Sequence, residues 1–389
     1  MSDNKEKLRI GITHGDFNGI SYEVIIKSLA DEGILDLCTP VVFGSSEVAA
    51  RTTTRLNLHD FWFSVIKDLE EVTDDKINFI EVCTSSPHQT LGQPSEEAGK
   101  AAVAALEAAC KALEEGEIDV LVTAPINKHT VQGENFNFPG HTEFLESRFA
   151  EGKATMILFA DRLRVAVVTG HIPLSEVAGK ITKERVAESI ENFNSSLKSD
   201  FRCERPRIAV LSLNPHCGDL GMMGREEIDI IGPAIEEVQK KGILAFGPFA
   251  ADGLFGSDAY THYDGILAMY HDQGLAPFKA LAADRGVNFT AGLSIVRTSP
   301  AHGTAYDKAG HGTADPTSMR EAIYAAIDIY RNREDYKEFS ANPLKIKEKG
   351  SKENKGRKLE PFNPNQKPEE KQSKEPEAEN NVGEISSEN

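Results

Sequence analysis

The 389-residue chain has no G-x-G-x-x-G turn, no G-x-x-x-x-G-K-[ST] loop and no C-x-x-C pair. Those absences exclude an ordinary Rossmann fingerprint, a P-loop, and a thioredoxin-type or thiolate-zinc site. No apolar run approaches the ~20 residues that a membrane span requires. The opening MSDNKEKLRI lacks an apolar stretch of secretory type. Cysteine is sparse: Cys38, Cys83, Cys110, Cys203 and Cys217 are odd in number and widely spaced, which suits a reducing cytoplasm rather than a disulfide framework. Basic charge is in deficit. Lys and Arg total 43 against 61 Asp and Glu, for a net charge of −18. Such a surface repels nucleic acid and anionic membranes, so neither is expected as a partner, although a local basic pocket can still bind an anion.

What is present suffices for a folded enzyme-sized core, since 40% of residues are hydrophobic. Composition changes near Leu344. Residues 345–389 carry ten basic and ten acidic residues and one aromatic, Phe362, too little apolar area to offset ordering entropy. The expectation is a catalytic unit over 1–344 and a disordered charged tail over 345–389. Within the first unit, apolar runs alternate with helix patterns. LRIGIT, PVVFG, DVLVTAP, TMILFA, RVAVVTG, RIAVLSL, DGILAMYH and NFTAGLSIV read as strands. SYEVIIKSLA, residues 95–115 with Ser95 as N-cap, KERVAESIENFNSSLK, REEIDIIGPAIEEVQKKG and SMREAIYAAIDIY read as helices. Alternation of this kind predicts an α/β fold with three layers, α/β/α.

In open α/β sheets, ligands gather beyond the carboxyl ends of strands. His171, His216 and His271 each follow a buried strand, and Asp272 adjoins the last. Three imidazoles at such stations point to a divalent-metal site, with positions left for substrate. Lys279, Asn288 and Arg297 follow in strand and loop segments; in so acidic a chain they read as an anion pocket or as ordinary surface charge. His141 and Thr142, in PGHTE, fit either anion donors at a helix N-terminus or a simple N-cap at Thr142. The Gly-rich stretch 302–315, HGTAYDKAGHGTAD, allows close approach to a planar ligand, and Asp307 there can accept from both ribose hydroxyls.

Taken together, GITHGDFNGI (11–20), VTAPINK, FPGHTEFL, LNPHCGDLGMMGREE, GPFAADGLF, YHDQGLAPFK and TSPAHGTAYDKAG resemble the 4-hydroxythreonine-4-phosphate dehydrogenases of pyridoxal 5′-phosphate biosynthesis. The resemblance covers about residues 7–335. The last motif also looks like the adenosine-binding loop of isopropylmalate and isocitrate dehydrogenases. The resemblance implies that fold, with two lobes and the active site in the cleft between them, in a homodimer with sites at the interface. It implies one divalent metal, Zn, Mg, Co or Mn, on His171, His216 and His271, shared across that interface. It places His141, Thr142, Lys279, Asn288 and Arg297 on a small phosphorylated hydroxy-acid substrate, with Asp252 and Asp272 beside substrate and metal. It also gives the adenosine end of NAD to His302, Gly303, Thr304, Ala305, Asp307 and Asp315. The opening turn departs from the PGEPAGIGPE of many members.

The reaction implied is NAD-dependent oxidation of 4-phosphohydroxy-L-threonine, with Lys128 or Asp272 as candidate general base and decarboxylation to 3-amino-2-oxopropyl phosphate. D-threonate or D-erythronate 4-phosphate dehydrogenases resemble the chain at the same motifs. A metal-dependent hydrolase needing no NAD and a catalytically silent metabolite sensor are the readings from other classes.

Overall fold

The computed structural model describes residues 7–342, apart from 32, 84–86, 134–135 and 283. The tail expectation for 345–389 lies outside the described residues. The apolar runs become strands β1 (Arg9–Thr13), β2 (Thr39–Gly44), β3 (Ser64–Ile66), β4 (Asn78–Glu81), β5 (Val120–Thr123), β6 (Ala150–Ala160), β7 (Leu163–Thr169), β8 (Arg207–Leu211), β9 (Leu244–Phe249), β10 (Gly265–Tyr270), β11 (Val287–Leu293) and β12 (Val296–Pro300). Among the described residues they form one twelve-stranded sheet, ordered β3-β4-β2-β1-β5-β12-β11-β6-β7-β10-β8-β9. From β3 to β12 all neighbours are parallel, as are β7, β10, β8 and β9. Antiparallel pairs β12/β11, β11/β6 and β6/β7 join the two blocks.

The two faces of this sheet differ, and the difference makes the cleft. Strand side chains alternate. Ile10, Ile12, Val120, Val122, Val287, Phe289, Ile157, Ala166, Leu267 and Ile208 all point to one face, where a single core runs through both blocks. Several helices cover it, among them Ser21–Leu29 with Ile25 and Ile26, Lys183–Ser199 with Val186, Ile190 and Phe193, and Thr317–Ala341 with Met319, Ile323 and Ile327. The opposite face carries two separate cores. One holds Val41, Phe43 and Leu121 beneath the helix Glu96–Glu114. The other holds Val165, Ala209, Ile266 and Ala268 beneath the helix His271–Ala282. Between them, β11 and β12 present Asn288, Thr290, Arg297 and Ser299 to that face. The polar strip cannot be covered by an apolar helix layer without unpaired groups, so the layer parts there.

Three sequence expectations change. NFTAGLSIV is not one strand but the hairpin β11–β12. Gly292 there has φ +84°, and a Cβ on it would lie 2.8 Å from the Lys153 carbonyl. The segment 225–242 is not uniformly α-helical, because a π-turn, Glu227–Ile231, precedes the helix Gly232–Lys240. Strands β3, β4 and β9 are additions. The Ser95 cap stands: its hydroxyl accepts from the Ala98 N–H at 3.2 Å.

Candidate active site

The parted layer leaves a cavity of about 280 Å³. Its floor is a cross-strand row. Leu158, Asn288 and Ser299 are aligned neighbours on β6, β11 and β12, and Arg297 pairs with Leu121 of β5. The walls come from the loop after β5 (Pro125, Lys128), the start of the helix His141–Phe149, His171 after β7, and a helical stripe at i, i+4, i+8: His271, Leu275 and Lys279. A wider depression of about 740 Å³, around Phe61 and Trp62, collects none of the predicted residues.

Arg297 is the electrostatic centre. The residue is 2% exposed, yet among the described residues its guanidinium bonds only hydroxyls: Nε and Nη2 donate to Thr123 Oγ1 at 3.1 and 2.6 Å, and Nη1 to Thr290 Oγ1 at 3.3 Å. Burial lowers its pKa to about 10, opposed by Glu143, so it remains a cation at neutral pH. A buried cation without a bound carboxylate calls for an anion. His141 stands beside it. Burial, then Arg297 and Lys128, hold the imidazole well below its ordinary pKa, so it is neutral. Asn288 Oδ1 is buried without a hydrogen-bond partner among the described residues. Helix capping at Thr142 is excluded, because the N-cap position falls at Gly140; Thr142 instead lines the cleft.

Two of the three predicted metal ligands meet. The His171 and His271 rings have centroids 5.3 Å apart, compatible with two imidazoles on one ion at Zn–N bonds of about 2 Å. Desolvation, then Lys128 and His271, lower the His171 pKa. Asp272, 84% exposed at its side chain, takes the His271 Nδ1 at 2.7 Å and does not line the cavity. That contact leaves Nε2 as the free donor, the usual arrangement around a ligating histidine. The donor set therefore fits a divalent metal but is incomplete in one chain: no three His, Cys, Asp or Glu side chains converge among the described residues. His216 is exposed on a left-handed turn and does not line the cavity.

The 302–315 stretch is divided. His302 and Gly303 line the cleft, and His302 Nε2 is buried without a partner among the described residues, an orphan that suits a bound ligand. Thr304 and Ala305 are partly buried and turn away: the Thr304 carbonyl accepts from the Ile20 N–H at 3.0 Å, and Ala305 has φ +44°. Asp307 is exposed on the short turn Tyr306–Lys308. Asp315 is already engaged, its Oδ1 accepting from the N–H and hydroxyl of Thr317. Asp252 is exposed on the helix Ala251–Phe255, outside the cavity. Sequence reasoning missed Thr123, Thr290 and Glu143. It also missed a junction in which Tyr306 Oη donates to Asp16 Oδ2 at 2.6 Å and accepts from Asn127 Nδ2 at 2.9 Å. Thr123, Glu143, Asp16, Asn127 and Tyr306 all sit inside motifs visible in the sequence, but their pairing depends on register and loop contact.

Comparison with known proteins gives the family. A 4-hydroxythreonine-4-phosphate dehydrogenase of Bacteroides thetaiotaomicron is 54% identical over 346 residues, 89% of this chain and 94% of its own. The crystal structure of a 4-hydroxythreonine-4-phosphate dehydrogenase from Burkholderia phymatum superposes with TM-score 0.68 at 36% identity, covering 84% of this chain and 99% of that one. A protein of Oceanobacillus iheyensis, provisionally named a D-threonate 4-phosphate dehydrogenase, is 38% identical over 82% of this chain and 97% of its own. The fold is thus that of a mixed α/β dehydrogenase, an enzyme class that works with a nucleotide cofactor. The chain belongs to the family of the pyridoxal phosphate biosynthetic protein PdxA, whose family model matches residues 36–326.

Proposed function

We propose that the chain oxidises 4-phosphohydroxy-L-threonine to 2-amino-3-oxo-4-phosphooxybutanoate with NAD and a divalent metal. The product is a β-keto acid. Its ketone accepts the charge that develops as CO₂ leaves, giving 3-amino-2-oxopropyl phosphate. The observation that carries the reading is Arg297, a buried cation paired only with Thr123 and Thr290, on the floor of the cleft walled by His171 and His271. The two parallel blocks of the sheet are read as the two lobes. Five free cysteines and the lack of any membrane-crossing helix among the described residues support a cytoplasmic setting.

When bound, the ion lowers the pKa of the C3 hydroxyl and the nicotinamide accepts hydride. Arg297 and Lys279 grip the phosphate, and this remote binding positions the reacting carbon. Neutral His141 and the first N–H groups of its helix receive the substrate's acidic end without adding a second cation beside Arg297. Asn288 Oδ1 accepts from the amino group. Lys128, on the rim, takes the hydroxyl proton only in its neutral amine form, while Asp272 orients His271. His302 and Gly303 bound the nucleotide side, and Asp307 receives ribose hydroxyls and disfavours a 2′-phosphate.

The third metal ligand is His216 of the partner subunit. Support comes from apolar residues left in water on the segments that follow the histidines: Leu220 is 93% exposed and Met222 83%, four and six residues after His216, and Leu174 is 72% exposed, three residues after His171. The Oceanobacillus relative favours D-threonate 4-phosphate as the second reading. Initial rates on the two phosphorylated substrates separate them. Preference for the amino acid supports the biosynthetic reaction, and preference for D-threonate 4-phosphate replaces it with sugar-acid oxidation on the same machinery.

A further inference from the structure

His216 sits in an improbable turn. Residues His216, Cys217, Gly218, Asp219 and Leu220 have φ of 51, 54, 75, 43 and 54° in succession. Four of the five carry a Cβ, for which left-handed backbone is unfavourable, so the turn persists only if its surroundings impose it.

Glu227 is what imposes it. The residue is 4% exposed. Its Oε1 accepts from the N–H groups of Leu213 and Asn214, both at 2.8 Å. Its Oε2 accepts from Asn214 Nδ2 at 3.1 Å, and the same amide donates to Glu226 Oε2 at 2.7 Å. The far side of the turn rests on the same carboxylate: a Cβ on Gly218 would lie 2.7 Å from Glu227 Oε2 and 2.7 Å from the Gly224 carbonyl. Glu227 also opens the π-turn Glu227–Ile231. That local widening lets the carboxylate face the loop while Ile231, Ala234 and Ile235 remain in the core. The entry of the His216 turn is therefore hydrogen-bonded to one side chain on a helical element, and its middle packs closely against that same side chain.

We propose that Glu227 is a positioning residue for His216, fixing the left-handed turn so that the imidazole is presented outward, to a metal held by His171 and His271 of the partner subunit. The proposal rests on the reading of His216 as a metal ligand. It predicts that loss of the clamp weakens metal binding through His216 alone.

The test is Co²⁺ binding to the full chain, followed by the visible absorption of the bound ion, in wild type, H216A, E227Q, G218A and the double variant H216A/E227Q. Glu227→Gln keeps the volume but replaces one accepting oxygen by a donor. Gly218→Ala strikes the same contact from the loop side and decides the question if E227Q does not fold. The expected result is Co²⁺ affinity lowered about 10- to 100-fold in E227Q and G218A, with far-ultraviolet circular dichroism unchanged. The residual affinity of H216A should not fall further on adding E227Q. Wild-type affinity in H216A would overturn the metal role of His216. Lost affinity in H216A with wild-type affinity in the folded clamp variants would overturn the positioning role alone, as would an additional loss in the double variant.

Discussion

At the scale of single residues, the proposed reaction assigns binding to Arg297 on the cleft floor and proton transfer to Lys128 on its rim. Arg297 has no reacting atom to act on, so Arg297→Met should raise the apparent KM. A hydrogen bond to a charged group contributes roughly 1.5–3 kcal/mol, equivalent to about 10- to 100-fold. Lys128→Met should instead lower kcat, by about 10²-fold or more. Steady-state kinetics over pH check both, and equal KM effects from the two variants would contradict the division. Arg297 was legible as a cation worth noting, but not as a buried one. Its partners Thr123 and Thr290 lie on β5 and β11, and only strand register brings them to it.

His14 gives a different residue-scale consequence. It is fully buried, stacked on Tyr22 at 5.3 Å, with Nε2 3.2 Å from the Ala101 carbonyl. Burial lowers its pKa to about 4, and the backbone contact only partly opposes that. Between pH 6.5 and 4 the unfolded chain therefore binds a proton that the native chain does not, so stability falls as pH falls through that window. The loss approaches about 3 kcal/mol at about 1.4 kcal/mol per pH unit. His14→Phe should have a melting temperature that drops less than wild type between pH 7 and pH 5. An equal drop would show that the acid sensitivity lies elsewhere.

At the scale of elements, the parallel strands were legible because they are buried on both faces and read as unbroken apolar runs. The β11–β12 hairpin was not: its turn, Ser294-Ile295, lacks the Asn-Gly or Asp-Gly signal and continues the β-branched pattern. The His216 turn was missed for a related reason. Position after a strand fixes where a loop begins and says nothing about its handedness. The junction of Asp16, Asn127 and Tyr306 ties three loops, those after β1, β5 and β12. It links the opening turn, where this chain departs from the family pattern, to the stretch proposed to hold the nucleotide and to Lys128's neighbour, Asn127. Burial raises the Asp16 pKa, and the Tyr306 hydroxyl is the first group opposing that rise. Tyr306→Phe should weaken nucleotide binding several-fold, by roughly the 1.5–3 kcal/mol of a hydrogen bond to a charged group at most, with kcat less affected. Fluorescence titration with the reduced nucleotide measures it directly; unchanged affinity would leave the junction without a role in binding.

At the scale of the molecule, one face of the sheet carries an unbroken core and the other two cores with a polar strip between. The motif inventory anticipated a cleft, but not that Asn288, Thr290, Arg297 and Ser299 create it by refusing an apolar cover. A basic cleft in a chain of net charge −18 suits a small anionic substrate. Because His171 and His271 meet within one chain, mixing subunits that lack either of these two should restore nothing. Mixing His216→Ala with His271→Ala subunits should restore roughly a quarter of wild-type activity, one complete site in each hybrid dimer. Equal recovery in both mixtures would contradict the assignment of ligands to chains. The most direct test of the central claim is reduction of NAD by the metal-loaded protein on addition of 4-phosphohydroxy-L-threonine, with and without EDTA. Rapid NADH formation that EDTA abolishes and added divalent metal restores is the predicted result; no NADH under metal-loaded conditions would contradict it.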